Sequence, residues 1–122
     1  MKPWRSMLYV PVTVERFVRK APGVGADAIQ LDLEDSILPS EKEAARRALP
    51  EAVAGLVGAG CDVLVRVNRP LRELVRDLEV AVMPGVQALA VPKVASADHL
   101  QLVDEVVSDL EAERGLPAGA SG

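Results

Sequence analysis

Six polar side chains cluster where three apolar runs end. Asp32, Glu34 and Asp35 close the run Ala28–Leu33, Arg66 and Asn68 close Asp62–Val67, and Lys93 follows Val86–Val91 and Pro92. Carboxylates together can exchange a proton or attract a cation. A guanidinium grips a carboxylate through parallel N–H bonds, and an ammonium anchors an anion or a carboxylate. A charge inside an apolar strand is costly unless it is paired. Asp32 and Arg66 therefore read either as partners in a structural ion pair or as groups that meet a ligand. Strand alternation puts Gln30, Asp32 and Glu34 on one face and Leu31 and Leu33 on the other. Leu64, Arg66 and Asn68 likewise share a face. Lys93 reads equally as a solvated loop lysine or as an anchor among carboxylates.

The remaining candidates carry less. His99 has no Cys or His at metal-ligand spacing and reads as a surface histidine. Cys61 stands before an apolar strand and reads as a small buried hydrophobe. Gly23-Val24-Gly25 precedes a strand, whereas a phosphate loop follows one, so it is a turn. Glu41, Lys42, Glu43, Arg46 and Arg47 read as a solvated helix face with charge pairs, and Arg5 as a surface arginine.

The elements that must position these residues alternate regularly. The run Ser6–Val10 is followed by a helix from Thr13, a possible cap, to about Lys20, ended by Pro22 and Gly23. After Ala28–Leu33, Ser40 and Glu43 form a capping-box pattern for a helix with Ala44, Ala48, Ala52 and Leu56 on its apolar face, stopped by Gly58 and Gly60. After Asp62–Val67, a helix from about Leu71 to Val82 places Leu71, Leu74, Val75 and Leu78 together, until Met83-Pro84-Gly85 breaks it. After Val86–Val91, Ser96 caps a helix to about Arg114 with Leu100, Val103, Val106, Val107 and Leu110 inward. Gly115 suits its C′ position and Pro117 prevents continuation. Residues 115–122 are expected to fray. Four βα units without a hairpin signal predict an α/β fold with a parallel sheet and right-handed crossovers. Two architectures fit: an open doubly wound sheet, favoured by the length of 122 residues, and the N-terminal half of a (β/α)8 barrel, favoured by the chain stopping after a helix.

Composition narrows the function classes. The chain is 49% hydrophobic and 26% charged, a globular profile, with one cysteine and a net charge of −4. An acidic chain without a basic tract is a poor nucleic-acid or anionic-membrane binder. No apolar run approaches the roughly 18 residues of a membrane span. The start, MKPWRS, lacks a signal-peptide core, and with the lone cysteine this gives a cytoplasmic expectation. Trp4, Tyr9 and Phe17 are the only aromatics, so the core must be aliphatic, as in parallel strands covered by helices.

The segments RSMLYVP, GADAIQLDLEDSI, EKEAAR, VLVRVN and LAVPKVAS, in this order, resemble the N-terminal half of the citrate lyase beta-subunit family. That family lies in the HpcH/HpaI aldolase superfamily with malyl-CoA and citramalyl-CoA lyases. The likeness runs from residue 4 to about 114, within one partial domain spanning 1–122. One departure is Pro11-Val12, where many members have Pro-Gly. The resemblance implies a TIM-type barrel, Mg2+, and reversible cleavage of a β-hydroxy acyl thioester to an acyl thioester and a 2-oxo acid. The carrier would be CoA or an acyl-carrier protein. A metal chelated by the oxo acid would stabilise the enolate as a Lewis acid. Glu34 and Asp35 match the catalytic acidic pair. Arg66 matches the arginine that binds the oxo-acid carboxylate, with Asn68 beside it on the substrate, and Asp32 and Lys93 would support these from behind.

The resemblance also implies that the direct metal ligands, a Glu ending the fifth strand and an Asp after the sixth, lie beyond residue 122. The chain alone is then expected to bind Mg2+ weakly or not at all and to be inactive. The alternative is a non-catalytic small-molecule-binding or regulatory open-sheet domain. A receiver-type domain is disfavoured, because its third strand should end in aspartate where Arg66 and Asn68 stand. The short apolar runs Ser6–Val10 and Val86–Val91 would form bare sheet edges. A homo-oligomer is therefore expected, with lysine at Leu89 reducing association.

Overall fold

The computed structural model describes residues 4–93 and 96–121. Val94 and Ala95 of the LAVPKVAS segment, and Gly122 of the tail, lie outside the described residues. Four βα units follow one another: β1 (Met7–Pro11), α1 (Glu15–Lys20), β2 (Ala28–Asp32), α2 (Lys42–Gly58), β3 (Asp62–Arg66), α3 (Leu71–Ala81), β4 (Val86–Ala90) and α4 (Ala97–Glu113). Short 3-10 turns, Ala21–Val24 and Pro39–Glu41, stand after α1 and before α2.

The sheet is parallel throughout, in the order β1-β2-β3-β4. This order separates the two architectures. A doubly wound sheet reverses direction and places helices on both faces. Here each right-handed crossover steps the same way, so every helix falls on the same face. Consecutive helices accordingly pack side by side, α1 on α2, α2 on α3, α3 on α4. The layer is the singly wound arrangement of a (β/α)8 barrel.

The core lies between that helix layer and the sheet. Ile29, Leu31, Val63 and Val65 from the strands meet Leu49, Val53 and Leu56 of α2, Leu74 and Leu78 of α3, and Val103, Val107 and Leu110 of α4 in one aliphatic cluster. On the opposite face the register aligns Tyr9, Gln30, Leu64 and Ala88 in one row and Pro11, Asp32, Arg66 and Ala90 in the next. At the other end of the strands, Trp4 Nε1 and Gln87 Nε2 each donate to Asp62, at 2.8 Å. No helix among the described residues is long and apolar enough to cross a membrane.

Local details depart from the sequence reading in instructive ways. Thr13 does not cap α1. The Val14 amide bonds the Pro11 carbonyl at 3.1 Å, and the helix starts later, at Glu15, without a side-chain cap. The Ser40–Glu43 capping box does not form either. Pro39 opens a 3-10 turn, α2 begins at Lys42 without a side-chain cap, and Glu43 bonds Arg46. The buried face of α2 is Ala45, Arg46, Leu49, Val53 and Leu56, one residue round from the alanine stripe, and Ala44 is exposed. Leu100, expected inward, is exposed near the start of its helix, and so is Leu71, grouped with buried Leu74 and Leu78 in the sequence. On α4 the Ser96 hydroxyl does accept from the His99 amide. Gly115 takes φ +68° while its amide bonds Ala112 and the Leu116 amide bonds Glu111, closing the helix with the expected glycine. The tail beyond it does not fray as far as it is described. The amides of Gly119 and Ser121 donate to the Glu111 carboxylate at 3.2 and 2.8 Å. Buried Glu111 supplies what the small tail side chains lack.

Candidate functional site

The C-terminal ends of β2 and β3 and the loops after β2 and β4 bring most of the flagged residues together. Register does the first part. Asp32 and Arg66 are direct cross-strand neighbours, and Arg66 donates through Nε and Nη2 to the two Asp32 oxygens, both at 2.8 Å. Asp32 is also the hub of the following turn. It accepts from the Glu34 and Ser36 amides, each at 2.8 Å, and from the Ser36 hydroxyl. Burial works to raise the Asp32 carboxyl, but the Arg66 fork, the Ser36 hydroxyl and the two amides outweigh it and hold it well below the usual carboxylate range. The Asp32 bond in turn raises the Arg66 guanidinium above its ordinary value. Nη1 of Arg66 makes no hydrogen bond to a described residue, and about a quarter of the side chain is exposed.

Glu34 is buried, and its carboxylate lies between the two cations. Its Oε1 stands 3.6 Å from Arg66 Nε and has no hydrogen-bond partner among the described residues, while Oε2 receives Lys93 Nζ at 2.7 Å. Asp35 is exposed and stands 3.6 Å from the same ammonium. The Lys93 ammonium is held above its ordinary range by the Glu34 bond and the nearby Asp35 charge. Its backbone sits at φ +55°, the left-handed region that a non-glycine residue adopts at a cost. Lys93 thus stands beside the carboxylates while its side chain stays 65% exposed, so features of both of its sequence readings are present. Glu34, Asp35, Lys42, Asn68 and Lys93 line an open cleft of about 390 Å³. A larger cavity of about 540 Å³ opens between α1 and α2, lined by Val18, Ala48 and Ala52 together with Glu15, Arg19 and Glu51. It gathers no comparable chemistry, so the site is placed at the strand ends.

Asn68 does not face the cleft as a free amide. It is buried, its Nδ2 donates to the Leu33 carbonyl at 2.9 Å and to Asp77 at 2.6 Å, and its Oδ1 accepts from Lys42 at 2.8 Å. Three residues missed in the sequence stand behind it. Lys42 also donates to the Leu33 and Glu34 carbonyls. Asp77 is fully buried and accepts from the Asn68 amide and from Arg46 Nε, both at 2.7 Å. Arg46 further pairs with Glu43 and Glu73. Burial works to lower its guanidinium, and the Asp77 and Glu73 carboxylates outweigh this and raise it. Lys42 and Arg46 are therefore not a solvated face. Their spacing with Leu49, Val53 and Leu56 was the available signal, since 42, 46, 49, 53 and 56 follow one helical stripe.

The weaker candidates lie apart from the cleft lining. Cys61 is half-buried at the turn into β3, and burial, with Asp62 nearby, pushes its thiol up. His99 is half-buried rather than on the surface, and its Nε2 is enclosed with no hydrogen-bond partner among the described residues. For the Mg2+ implied by the family resemblance, the one unpartnered buried carboxylate oxygen among the described residues is Glu34 Oε1. Both Asp32 oxygens are taken, Glu34 Oε2 and Asp35 share Lys93, and among the described residues no three of His, Cys, Asp or Glu are grouped to hold a metal.

Comparison with known proteins agrees with the fold. A (3S)-malyl-CoA thioesterase of Cereibacter sphaeroides is 40% identical over 109 residues, 88% of this chain and 38% of the relative. A citrate lyase beta subunit from M. tuberculosis, solved with oxaloacetate and magnesium, is 29% identical with a TM-score of 0.63, over 79% of this chain and 42% of that one. A malate synthase from Haloferax volcanii, 19% identical, shares the fold with a TM-score of 0.86 over 100% of this chain and 39% of its own. The chain thus spans about two-fifths of the length of the curated relatives it matches. The HpcH/HpaI aldolase/citrate lyase family pattern matches residues 5–120, and the chain belongs to that family.

Proposed function

We propose that this chain supplies the β1–α4 part of a carbon–carbon lyase acting on a β-hydroxy acyl thioester. In that reaction the hydroxyl loses its proton, the bond between the hydroxyl-bearing carbon and the thioester's α-carbon breaks, a 2-oxo acid departs, and the remaining acyl thioester carbanion takes up a proton. The observation that carries the reading is the Arg66–Asp32–Glu34–Lys93 cluster at the strand ends of a chain of this family. Asp32 holds two edges of the Arg66 fork and leaves Nη1 for the carboxylate of the oxo acid, the class to which the oxaloacetate of the mycobacterial relative belongs. Glu34 and Asp35 are the acidic pair that can hold or pass a proton, and Lys93 limits their mutual repulsion. Asn68, first read as a substrate contact, acts from behind.

Mg2+ would supply Lewis acidity toward the oxo acid. Since the donors of this chain do not complete its site, the proposal includes further ligands from residues outside 1–122, negligible activity of this chain alone, a homo-oligomeric enzyme and a cytoplasmic location. A second reading, hydrolysis of the thioester, is favoured by the name of the 40% identical relative.

Two measurements test this. Malyl-, citramalyl- and citryl-thioesters with Mg2+ are incubated with the purified chain while oxo acid and free thiol are followed. Neither should appear; release of either overturns the inactivity, with thiol alone marking hydrolysis. Pyruvate or oxaloacetate is then titrated while the Arg66 Nε–H resonance is watched. A saturable shift, weakened about tenfold or more in Arg66→Lys through loss of the planar fork, is expected. An unresponsive Arg66 would sink the assignment of the carboxylate site.

A further inference from the structure

Lys42 lines the cleft, yet its ammonium is fully used. Its three donors meet three acceptors: the Leu33 carbonyl at 2.9 Å, the Glu34 carbonyl at 2.7 Å and Asn68 Oδ1 at 2.8 Å. No proton is left over for a ligand, so Lys42 acts through what it holds. Asn68 is itself fixed at both amide hydrogens, and its Asp77 partner is anchored by Arg46 from α2. A chain of polar contacts thus runs from α2 through α3 and the end of β3 to the two carbonyls flanking the Glu34 backbone. Buried charge of this kind is a poor route to stability alone, because apolar residues of similar volume stabilise as well. It does fix the orientation of peptide groups, which apolar packing does not.

We infer that Lys42 is a positioning residue. Braced by Asn68 and Asp77, it sets the Leu33 and Glu34 carbonyls and through them aims the Glu34 carboxylate between Arg66 and Lys93. The inference rests on the proposed function for its catalytic meaning. Amide hydrogen exchange on the whole chain tests the placement without any ligand. In Lys42→Met, which keeps the length and removes the charge, the Glu34 and Ser36 amides that bond Asp32 should lose protection by about tenfold or more, as for a lost charge-assisted bond, while the Val65 amide in β3 keeps its own. Lys42→Arg should restore part of it. The pyruvate response of Arg66 should weaken in Lys42→Met and recover in Lys42→Arg. Wild-type exchange at Glu34 and Ser36, or a uniform loss at every amide, overturns the inference, the second by showing a merely structural role. Silence of Arg66 in the unsubstituted chain overturns the functional reading instead, and the selective exchange pattern then still decides the positioning.

Discussion

Asp32 shows how one side chain joins fold and site. It is 2% exposed and carries its charge because Arg66, Ser36 and two backbone amides surround it. Asp32→Asn keeps the shape but leaves the Arg66 fork without its counter-charge, and should cost about 2 kcal/mol at pH 7, below the roughly 3–5 kcal/mol of a fully buried broken pair because Arg66 is partly exposed. The pH dependence follows from the depressed folded-state value. Above the ordinary carboxyl value of 3.8 the Asp32 contribution is fully present. As pH falls below that value the unfolded chain takes up a proton that the folded chain still refuses, so stability is lost. Urea unfolding at pH 7 and pH 3 should therefore show the gap between wild type and Asp32→Asn narrowing in acid. A gap that stayed constant would mean that Asp32 is not held below its ordinary range. The strand-end charges were legible because an Asp or Arg inside an apolar run needs a partner. Asp77 and Arg46 were not, because a charge on an amphipathic helix looks solvated until its three-dimensional partner is known. The burial of Asn68 was not legible for the same reason, since it is set by residues on α2 and α3.

The elements themselves were legible from apolar runs and breakers, and all four strands stand where those runs lie. The misreadings were of phase and caps. In α2 several alanines fit either side of the boundary, and only the long residues Leu49, Val53 and Leu56 mark the buried stripe. The turn into β4 offers a test of how tightly elements are seated. Gly85 adopts φ +98°, and a Cβ there would stand 2.8 Å from Val57 Cγ2 of α2. Gly85→Ala combines a left-handed backbone penalty with a side-chain clash and should cost about 2–3 kcal/mol in urea or thermal unfolding. Val57→Ala in the same chain removes the closer contact and leaves the 3.3 Å approach to Val53 Cγ1, so it should recover up to about half of that loss and leave the 1–2 kcal/mol of backbone strain. Full recovery would show that the glycine is needed for space alone. No recovery would show that the approach of β4 to α2 is immaterial.

At the scale of the whole molecule, the unreversed strand order leaves β1 and β4 as the two sheet edges. Their protection differs. Pro11, read at first as lying beyond the strand, is part of β1 and removes one N–H from that edge. β4 carries Val86, Gln87, Ala88, Leu89 and Ala90, with no charge or proline, so its bare backbone is the better template for another strand. The chain should therefore self-associate through β4, with sedimentation velocity showing dimer or larger species that grow with micromolar concentration. Leu89 is the wrong place to interrupt this. It pairs in register with buried Val65 and packs on the core, so a lysine there would unfold the helix side of the sheet rather than blunt the edge. Ala88 pairs with Leu64 on the opposite face and keeps some exposure. Ala88→Lys should shift the chain toward monomer with its thermal midpoint little changed. A chain that is monomeric at every concentration before any substitution would show that the β4 edge is already covered, and association unaltered by Ala88→Lys would move the contact to another surface. Self-association that depends on β4 is what a singly wound layer requires, because this edge is where the next strand of a (β/α)8 barrel pairs.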